Sequence, residues 1–463
     1  MRRDSSNIWS NLDWTLIMIF LSLAIFGLLN IYAAIYNPEI DQLIVDPSWK
    51  SGRQFVFLCI SLVISIAIIQ VDFRLFFSIP YVFYGFSIFL LLLVLTPLGH
   101  EVAGNKSWLK LGGFTIQPAE FAKLGVALVY AKFVDSTNLK YEFDKPFLKL
   151  LAFIFAPMVL ILMQPDTGSA LVFTSMFIVM YLDGLNPLIP AIGLTTVILF
   201  VLTLIFGPVI IFSIFAFLLL VILFFVRKNK QHILTTLGGI AVVFVVTFGS
   251  NFFFFSVLKE HQQERITILL GALDDLEEEV EILRAERDNT ESVEKKKELR
   301  TEIRAKSQKL RDMRRGSAWN MEQAKIAIGS GGLTGKGFRE GIITKSDFVP
   351  EQHTDFIFCT IGEEHGFLGS LVVIGLYLFL LFRVLFIAQR QKSRFARVYG
   401  YSVLSIFFFH FLVNIGMAIG LFPVIGIPLP FFSYGGSSLI AYTLLLFILI
   451  KLDAHRNQIL ARD

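Results

Sequence analysis

Residues 14–35 read WTLIMIFLSLAIFGLLNIYAAI, a run without a charged side chain. An α-helix rises 1.5 Å per residue, so about 20 such residues cross the ~30 Å hydrocarbon core of a bilayer. The run is longer than a signal-peptide core and many others follow it, so it reads as a retained membrane helix. Further apolar runs lie near 54–71, 75–97, 118–134, 147–164, 168–184, 187–206, 209–226, 232–257, 367–389, 400–421 and 437–451, making twelve. The breaks at Gln164–Gly168 and Asp183–Pro187 separate runs that would otherwise merge. The expected fold is an all-α polytopic membrane protein with about twelve transmembrane helices.

Composition agrees. The 463 residues are 55% hydrophobic and 17% charged, against about 45–50% and 25% in an ordinary soluble domain. Of the 41 Lys plus Arg and 37 Asp plus Glu, 29 fall between Lys259 and Ser317. The rest of the chain has too little charge to cover a water-exposed surface. A soluble enzyme, a disordered chain, a fibrous repeat and a disulfide scaffold are excluded. Cys59 and Cys359 are far apart and form no metal-type spacing. The net charge of +4 is mild, with basic residues at segment ends. That pattern orients a membrane protein and does not suggest a nucleic-acid partner.

The basic flanks order the topology. Starting inside with Arg2 and Arg3, twelve alternating spans put Arg74, Lys140, Lys145, Arg227, Lys228, Lys230, Arg390, Lys392, Arg394, Arg397, Lys451 and Arg456 on the same side. Short outer loops carry only Lys50, Arg53, Lys106 and Lys110. Both termini are therefore expected in the cytoplasm. The chain divides into nine spans over 1–258, one large extracytoplasmic loop over 259–366, and three spans with a cytoplasmic tail over 367–463.

Within the large loop, Leu269, Leu273, Leu276, Val280 and Leu283 alternate gaps of four and three, and Leu299, Ile303, Leu310 and Met313 roughly resume the pattern. This predicts an antiparallel helical hairpin over about 269–315. It serves either as a solvated structural insertion or as a docking surface for an extracytoplasmic partner. The stretch Gly329 to Gly337 holds five glycines and reads as a loop, where backbone can approach a ligand closely.

Polar groups at membrane depth are costly, so each is a functional candidate. Glu120 and Lys123, at the outer end of the fourth span, share a helix face at i, i+3. They form either a self-neutralising pair or the lining of a cavity for a charged substrate. In Gln164-Pro165-Asp166-Thr167-Gly168, Asp166 or Thr167 suits a helix N-cap. The same geometry would also aim backbone N–H groups at an anion. Glu351-Gln352-His353-Thr354-Asp355 runs straight into Phe356-Ile357-Phe358, placing Asp355 at an outer membrane boundary. A carboxylate there can act as a general base, or as a cap or salt-bridge partner. His353 alone is weak, and Glu363 and Glu364 read better as helix-terminal charges. Two prolines and two glycines between Gly426 and Ser438 forbid a continuous helix, which suits the wall of a cavity. No phosphate loop and no nucleophile elbow occurs.

Asn105-Lys106-Ser107-Trp108-Leu109 running into Gln117-Pro118-Ala119-Glu120-Phe121-Ala122-Lys123 resembles the shape, elongation, division and sporulation family of bacterial membrane proteins. Similar to that family in turn are Gln164 to Gly168, Ile326 to Gly337, Pro350 to Phe358, and Asn414-Ile415-Gly416-Met417 through Pro428-Leu429-Pro430-Phe431-Phe432-Ser433-Tyr434-Gly435-Gly436-Ser437-Ser438. The Gly-Ile-Pro-Leu-Pro wording resembles its elongation members more than its division members. The resemblance implies a peptidoglycan glycosyltransferase of the bacterial inner membrane that polymerises lipid II during elongation and shape maintenance. It would work with a class B penicillin-binding protein and other elongation proteins.

By the same resemblance Asp355 is the essential extracytoplasmic aspartate, and Glu120 and Lys123 are the motif residues of the fourth span. The candidate substrate-binding set is Glu120, Lys123, Trp108, Gln117, Asp166, Lys336, Glu351 and Ser433. A divalent cation, Mg or Mn, is implied without an assigned ligand set. Family members usually have ten spans, so a surplus pair is expected within 187–257. Two other functions suit the polar clusters, a lipid II flippase and a non-catalytic scaffold of the cell-wall machinery.

Overall fold

A computed structural model describes residues 8–36, 43–102, 105–112, 114–137, 139–142, 144–226, 230–258, 260–290, 292–314, 317–345 and 351–458. The flanking residues Arg2, Arg3, Arg227 and Lys228, the loop boundary Lys259 and the motif residue Pro350 lie outside them. The chain forms two compact units, 186–319 and the remainder.

In the larger unit the first helices are α1 (Trp14–Ile35), α2 (Lys50–Gln70), α3 (Leu75–Ser78) and α4 (Pro80–Leu95). The Asp13 side chain caps α1 by accepting from the Leu16 N–H at 3.0 Å, as an N-cap carboxylate should. Between α4 and the next helix lies a feature the all-α expectation did not contain. It is a three-stranded antiparallel sheet of β1 (Gly99–Val102), β2 (Asn105–Leu111) and β3 (Phe114–Ile116). Trp108 pairs with His100, and Leu109 with both Gly99 and Ile116. Strands this short leave too few residues for period-2 alternation to be read from sequence.

Next come α5 (Pro118–Thr137), α6 (Lys145–Leu162), α7 (Thr167–Val172) and α8 (Met176–Leu182), the last two joined by a 3₁₀ turn. Capping residues start two of them. Asp144 accepts from the Phe147 N–H at 2.9 Å, and Asp166 from the Ser169 N–H at 3.0 Å.

The smaller unit holds α9 (Leu188–Phe206), α10 (Pro208–Val226) and α11 (Lys230–Phe252), which pack on one another. They are followed by α12 (Glu260–Leu269) and the expected hairpin, α13 (Ala272–Asn289) against α14 (Val293–Arg314). Val280, Leu299 and Ile303 are buried in the hairpin, and Lys306–Glu279 (3.1 Å) and Lys295–Glu286 (2.8 Å) bridge its exposed flanks. Such exposed pairs contribute little stability.

α15 (Ser317–Ser330) returns to the larger unit. It includes Gly329 and Ser330, so the irregular segment begins only at Gly331. α16 (Ile342–Lys345) precedes α17 (Ile357–Gln389), α18 (Arg394–Ala418) and α19 (Gly436–Ala454). Gly366 breaks α17 with φ +63°, and the span expected from 367 is its longer arm.

All twelve apolar runs are helical. Among the described residues eight helices are long and apolar enough to cross a membrane, three apolar ones are shorter, and α5 carries the Glu120–Lys123 pair. Of the most apolar stretch of α19, 83% is buried, against 11% of that of α9. Within the larger unit α19 is therefore central, packed on α2, α5 and α18, and within the smaller unit α9 exposes many apolar side chains, as a lipid-facing helix must.

Candidate active site

Two irregular segments of the larger unit meet at one end of its helices. The first, 351–356, is a series of turns opening at Glu351, whose φ is +57°. The second, 419–435, connects α18 to α19. Backbone without its own ladder must find other partners when buried, and here side chains supply them. Asn414 Nδ2 donates both to the Asp355 carbonyl (2.8 Å) and to the Ile427 carbonyl (2.7 Å). Ser433 Oγ accepts from the Leu429 N–H and donates to the Thr354 carbonyl, at 2.8 and 2.7 Å. The Tyr434 N–H donates to the His353 carbonyl at 2.9 Å.

Helix α2 closes the same knot. Gln54 donates to the Ser433 carbonyl and accepts from the Gly435 N–H. α1 passes so close that a Cβ on Gly27 would lie 2.6 Å from the Phe432 carbonyl oxygen. The Gln352 amide donates to the Ala34 carbonyl at 3.0 Å, tying the first segment to the end of α1. Asp355 is thus half-buried on a chain segment with little freedom, its carboxylate beside Gly426.

A cavity of about 520 Å³ opens next to this knot, lined by Arg53, Trp108, Thr115, Glu351, His353, Thr354 and Tyr434 among others. Lys50 Nζ lies 2.8 Å from His353 Nε2. A charged lysine can only donate, so His353 accepts there and carries its proton on Nδ1. Glu351 accepts from the Thr354 hydroxyl at 2.8 Å. Burial pushes the Tyr434 phenol above its ordinary range, partly offset by the Arg53 guanidinium. An aromatic wall with a few convergent charges suits an amphiphilic sugar-phosphate ligand.

The remaining candidates are placed elsewhere. Glu120 and Lys123 are 2% and 1% exposed and 2.7 Å apart, beneath the knot. Lys123 Nζ also donates to His410 Nε2 at 3.0 Å and sits over the Tyr442 ring. The self-neutralising reading describes this pair. Gln117 donates to Asp166 at 2.8 Å while Asp166 caps α7, so the capping reading describes Asp166. Lys336 donates at 2.7 Å to Glu363, which is fully buried. Glu363 also accepts from the Ile343 and Thr344 N–H groups and the Thr344 hydroxyl. Standing in the last turn before the break at Gly366, it anchors the 331–345 segment from the interior.

Sequence reasoning therefore placed Trp108, Glu351, Asp355 and Ser433 in or beside the cavity and missed Lys50, Arg53, Gln54, Thr115, His410, Asn414 and Tyr442. Asn414 opens a quoted motif and Lys50 and Arg53 are outer-loop charges without an assigned role, whereas His410 and Tyr442 lie in spans where nothing nearby in sequence marks them. His353, a weak candidate by sequence alone, lines the cavity. Among the described residues no group of three His, Cys, Asp or Glu side chains could hold a metal ion. The implied divalent cation thus finds no such ligand set among them.

The chain is 29% identical over 455 residues to the peptidoglycan glycosyltransferase MrdB of Escherichia coli K12, covering 97% of this chain and 95% of that one. It is 30% identical to the peptidoglycan glycosyltransferase RodA of Treponema pallidum, covering 96% and 98%. Its fold matches a chain of a peptidoglycan synthase complex that coordinates polymerisation and crosslinking, at a TM-score of 0.62 and 24% identity, covering 96% and 99%. The rod shape determining protein RodA of Thermus thermophilus matches at 0.53 and 24%, covering 96% and 97%. The model of the FtsW, RodA and SpoVE family, described as cell cycle proteins, matches residues 13–212 and 300–458. The unmatched 213–299 holds most of α10, with α11, α12 and α13, where the surplus spans and the longer hairpin were expected. With more than half of its residues matched, including both segments of the knot, this chain belongs to the FtsW, RodA and SpoVE family.

Proposed function

We propose that the chain is a peptidoglycan glycosyltransferase that polymerises lipid II, with Asp355 as general base. Its relatives MrdB and RodA carry that activity in their names, and the chain is a bacterial-type polytopic membrane protein like them. The observation that carries the Asp355 assignment is the pinning of its segment. Asn414, Ser433 and Gln352 hold the backbone around a half-buried carboxylate, directly after three residues that line the cavity. A base held within a narrow range of positions gains most from orientation.

In this reading the acceptor sugar hydroxyl loses its proton to Asp355 and attacks the donor's anomeric carbon, and undecaprenyl diphosphate leaves. Arg53, which lines the cavity, and Lys50, hydrogen-bonded to His353 beside it, hold the donor's diphosphate by charge in the bound substrate as much as in the departing group. Lys123 is too enclosed to reach it, and Lys336 is committed to Glu363. Trp108 and Tyr434 offer apolar and aromatic surface to the sugars.

The cavity end of the helices is extracytoplasmic in this reading and both termini are cytoplasmic. That puts the cluster of Asp13, Arg383, Arg390 and Asp453 on the cytoplasmic side, where basic residues accumulate. A class B penicillin-binding transpeptidase is the expected partner, supported by the fold match to a synthase complex.

The test is polymerisation of lipid II by the purified chain with its partner, comparing wild type with Asp355→Asn. Strands from wild type and none from a folded, partner-bound Asp355→Asn support the assignment. Equal strands from both refute it.

A further inference from the structure

Beneath the knot, His410 stands on α18 one helical turn before Asn414, so both side chains point to the same side. Asn414 holds the Asp355 and Ile427 carbonyls. His410 holds the next carbonyl, Pro428, with Nδ1 2.9 Å away. Its other nitrogen, Nε2, lies 3.0 Å from Lys123 Nζ. An ammonium is a donor only, so Nε2 accepts and the proton sits on Nδ1, where it donates to the Pro428 carbonyl. The ring is 1% exposed and stacks edge-on against Tyr442 of α19, at 5.2 Å. The Tyr442 hydroxyl is 3.2 Å from Nδ1.

A core histidine needs only one partner for its N–H. This one bridges α5, through the Glu120–Lys123 pair, to the 419–435 segment that borders Asp355. Nothing in the sequence motifs singled it out.

We propose that His410 is a positioning residue for glycan polymerisation, locking the Pro428 carbonyl, and with it the wall against Asp355, to the buried Glu120–Lys123 pair. The inference rests on Asp355 being the base. Its geometry also says which substitutions can replace it. Glutamine offers an acceptor for Lys123 and a donor for Pro428 on one side chain. Leucine fills similar space and offers neither. A wall displaced by about 1 Å costs up to ~100-fold in rate while leaving distant substrate contacts intact.

The experiment is steady-state lipid II polymerisation by the full chain with its partner, for wild type, His410→Leu, His410→Gln and Asp355→Asn. Each variant is first checked for melting temperature and partner binding. His410→Leu should lower kcat about 10- to 100-fold with KM changed less than about two-fold, and His410→Gln should recover most of kcat. A normal kcat in His410→Leu beside an inactive Asp355→Asn overturns the positioning role and leaves the base assignment standing. A fully active Asp355→Asn sinks the base assignment and this inference with it. If His410→Leu does not fold, His410→Asn serves. It is one methylene shorter and cannot span both partners, so a kcat as high as that of His410→Gln would also overturn the role.

Discussion

At the scale of single residues, Asp355 was legible because a polar run that ends at an apolar one marks a membrane boundary. Lys336 was not, because Glu363, the partner that neutralises it, stands 27 positions away. Glu120 and Lys123 are three positions apart, so the pairing was visible, but its enclosure by His410 and Tyr442 was not. That enclosure makes a prediction. Removing one member of a buried pair strands the other charge, which costs about 3–5 kcal/mol. Lys123→Met should lower the melting temperature in detergent sharply, and adding Glu120→Gln should recover much of the loss. A double-mutant cycle with no coupling would show that the two do not act as a pair. Arg53 stands at the cavity rim, so its effect should fall on substrate binding. Arg53→Ala should raise the KM for lipid II about 10- to 100-fold, the worth of a hydrogen bond to a charged group, and change kcat far less. A loss confined to kcat would move Arg53 into the chemical step.

At the scale of elements, hydropathy located the long apolar helices among the described residues, because a lipid-facing stretch must be apolar over its whole length. It could not find the sheet at Gly99–Ile116, whose pairing depends on partners rather than on local composition. Nor did it find the break in α17. There Gly366 adopts φ +63°, and a Cβ would collide with the backbone of Gly335. The close approach lets the Phe367 and Leu368 N–H groups bond the Gly332 and Leu333 carbonyls, at 2.9 and 3.1 Å. Gly366→Ala should therefore lower both the melting temperature and polymerisation. A Cβ added at Gly375, further along the same helix, would meet nothing within 4 Å. Gly375→Ala should be neutral, or stabilising by up to about 1 kcal/mol from helix propensity alone. Equal behaviour of the two alanines would mean that the break does not matter.

At the scale of the molecule, every residue of the candidate site lies in the larger unit, and the segment outside the family match includes α13 of the hairpin. Replacing 272–314 by a short flexible linker should thus leave lipid II polymerisation in detergent near the wild-type rate. Loss of activity in a folded variant would make the hairpin part of the enzyme. The helices that frame the site carry a charge cluster at their other ends. Asp13 accepts from Arg383 Nη2 at 2.7 Å and Arg390 Nη2 at 3.0 Å, and Arg390 also pairs with Asp453. Burial alone would raise the Asp13 carboxyl. The hydrogen bonds from Arg383 and the Leu16 N–H, with both guanidinium charges, outweigh it and hold the group below its ordinary range. The folded chain therefore binds a proton at Asp13 less readily than the unfolded chain does, so stability rises with pH across the acid range. This contribution is complete above the unfolded value near 4 and is lost as pH falls through the lower folded value. Melting curves between about pH 3 and 6 should then decline more steeply on acidification for wild type than for Asp13→Asn, which cannot titrate. Parallel declines would mean that the cluster ties α1 to α17 without making the fold sensitive to acid.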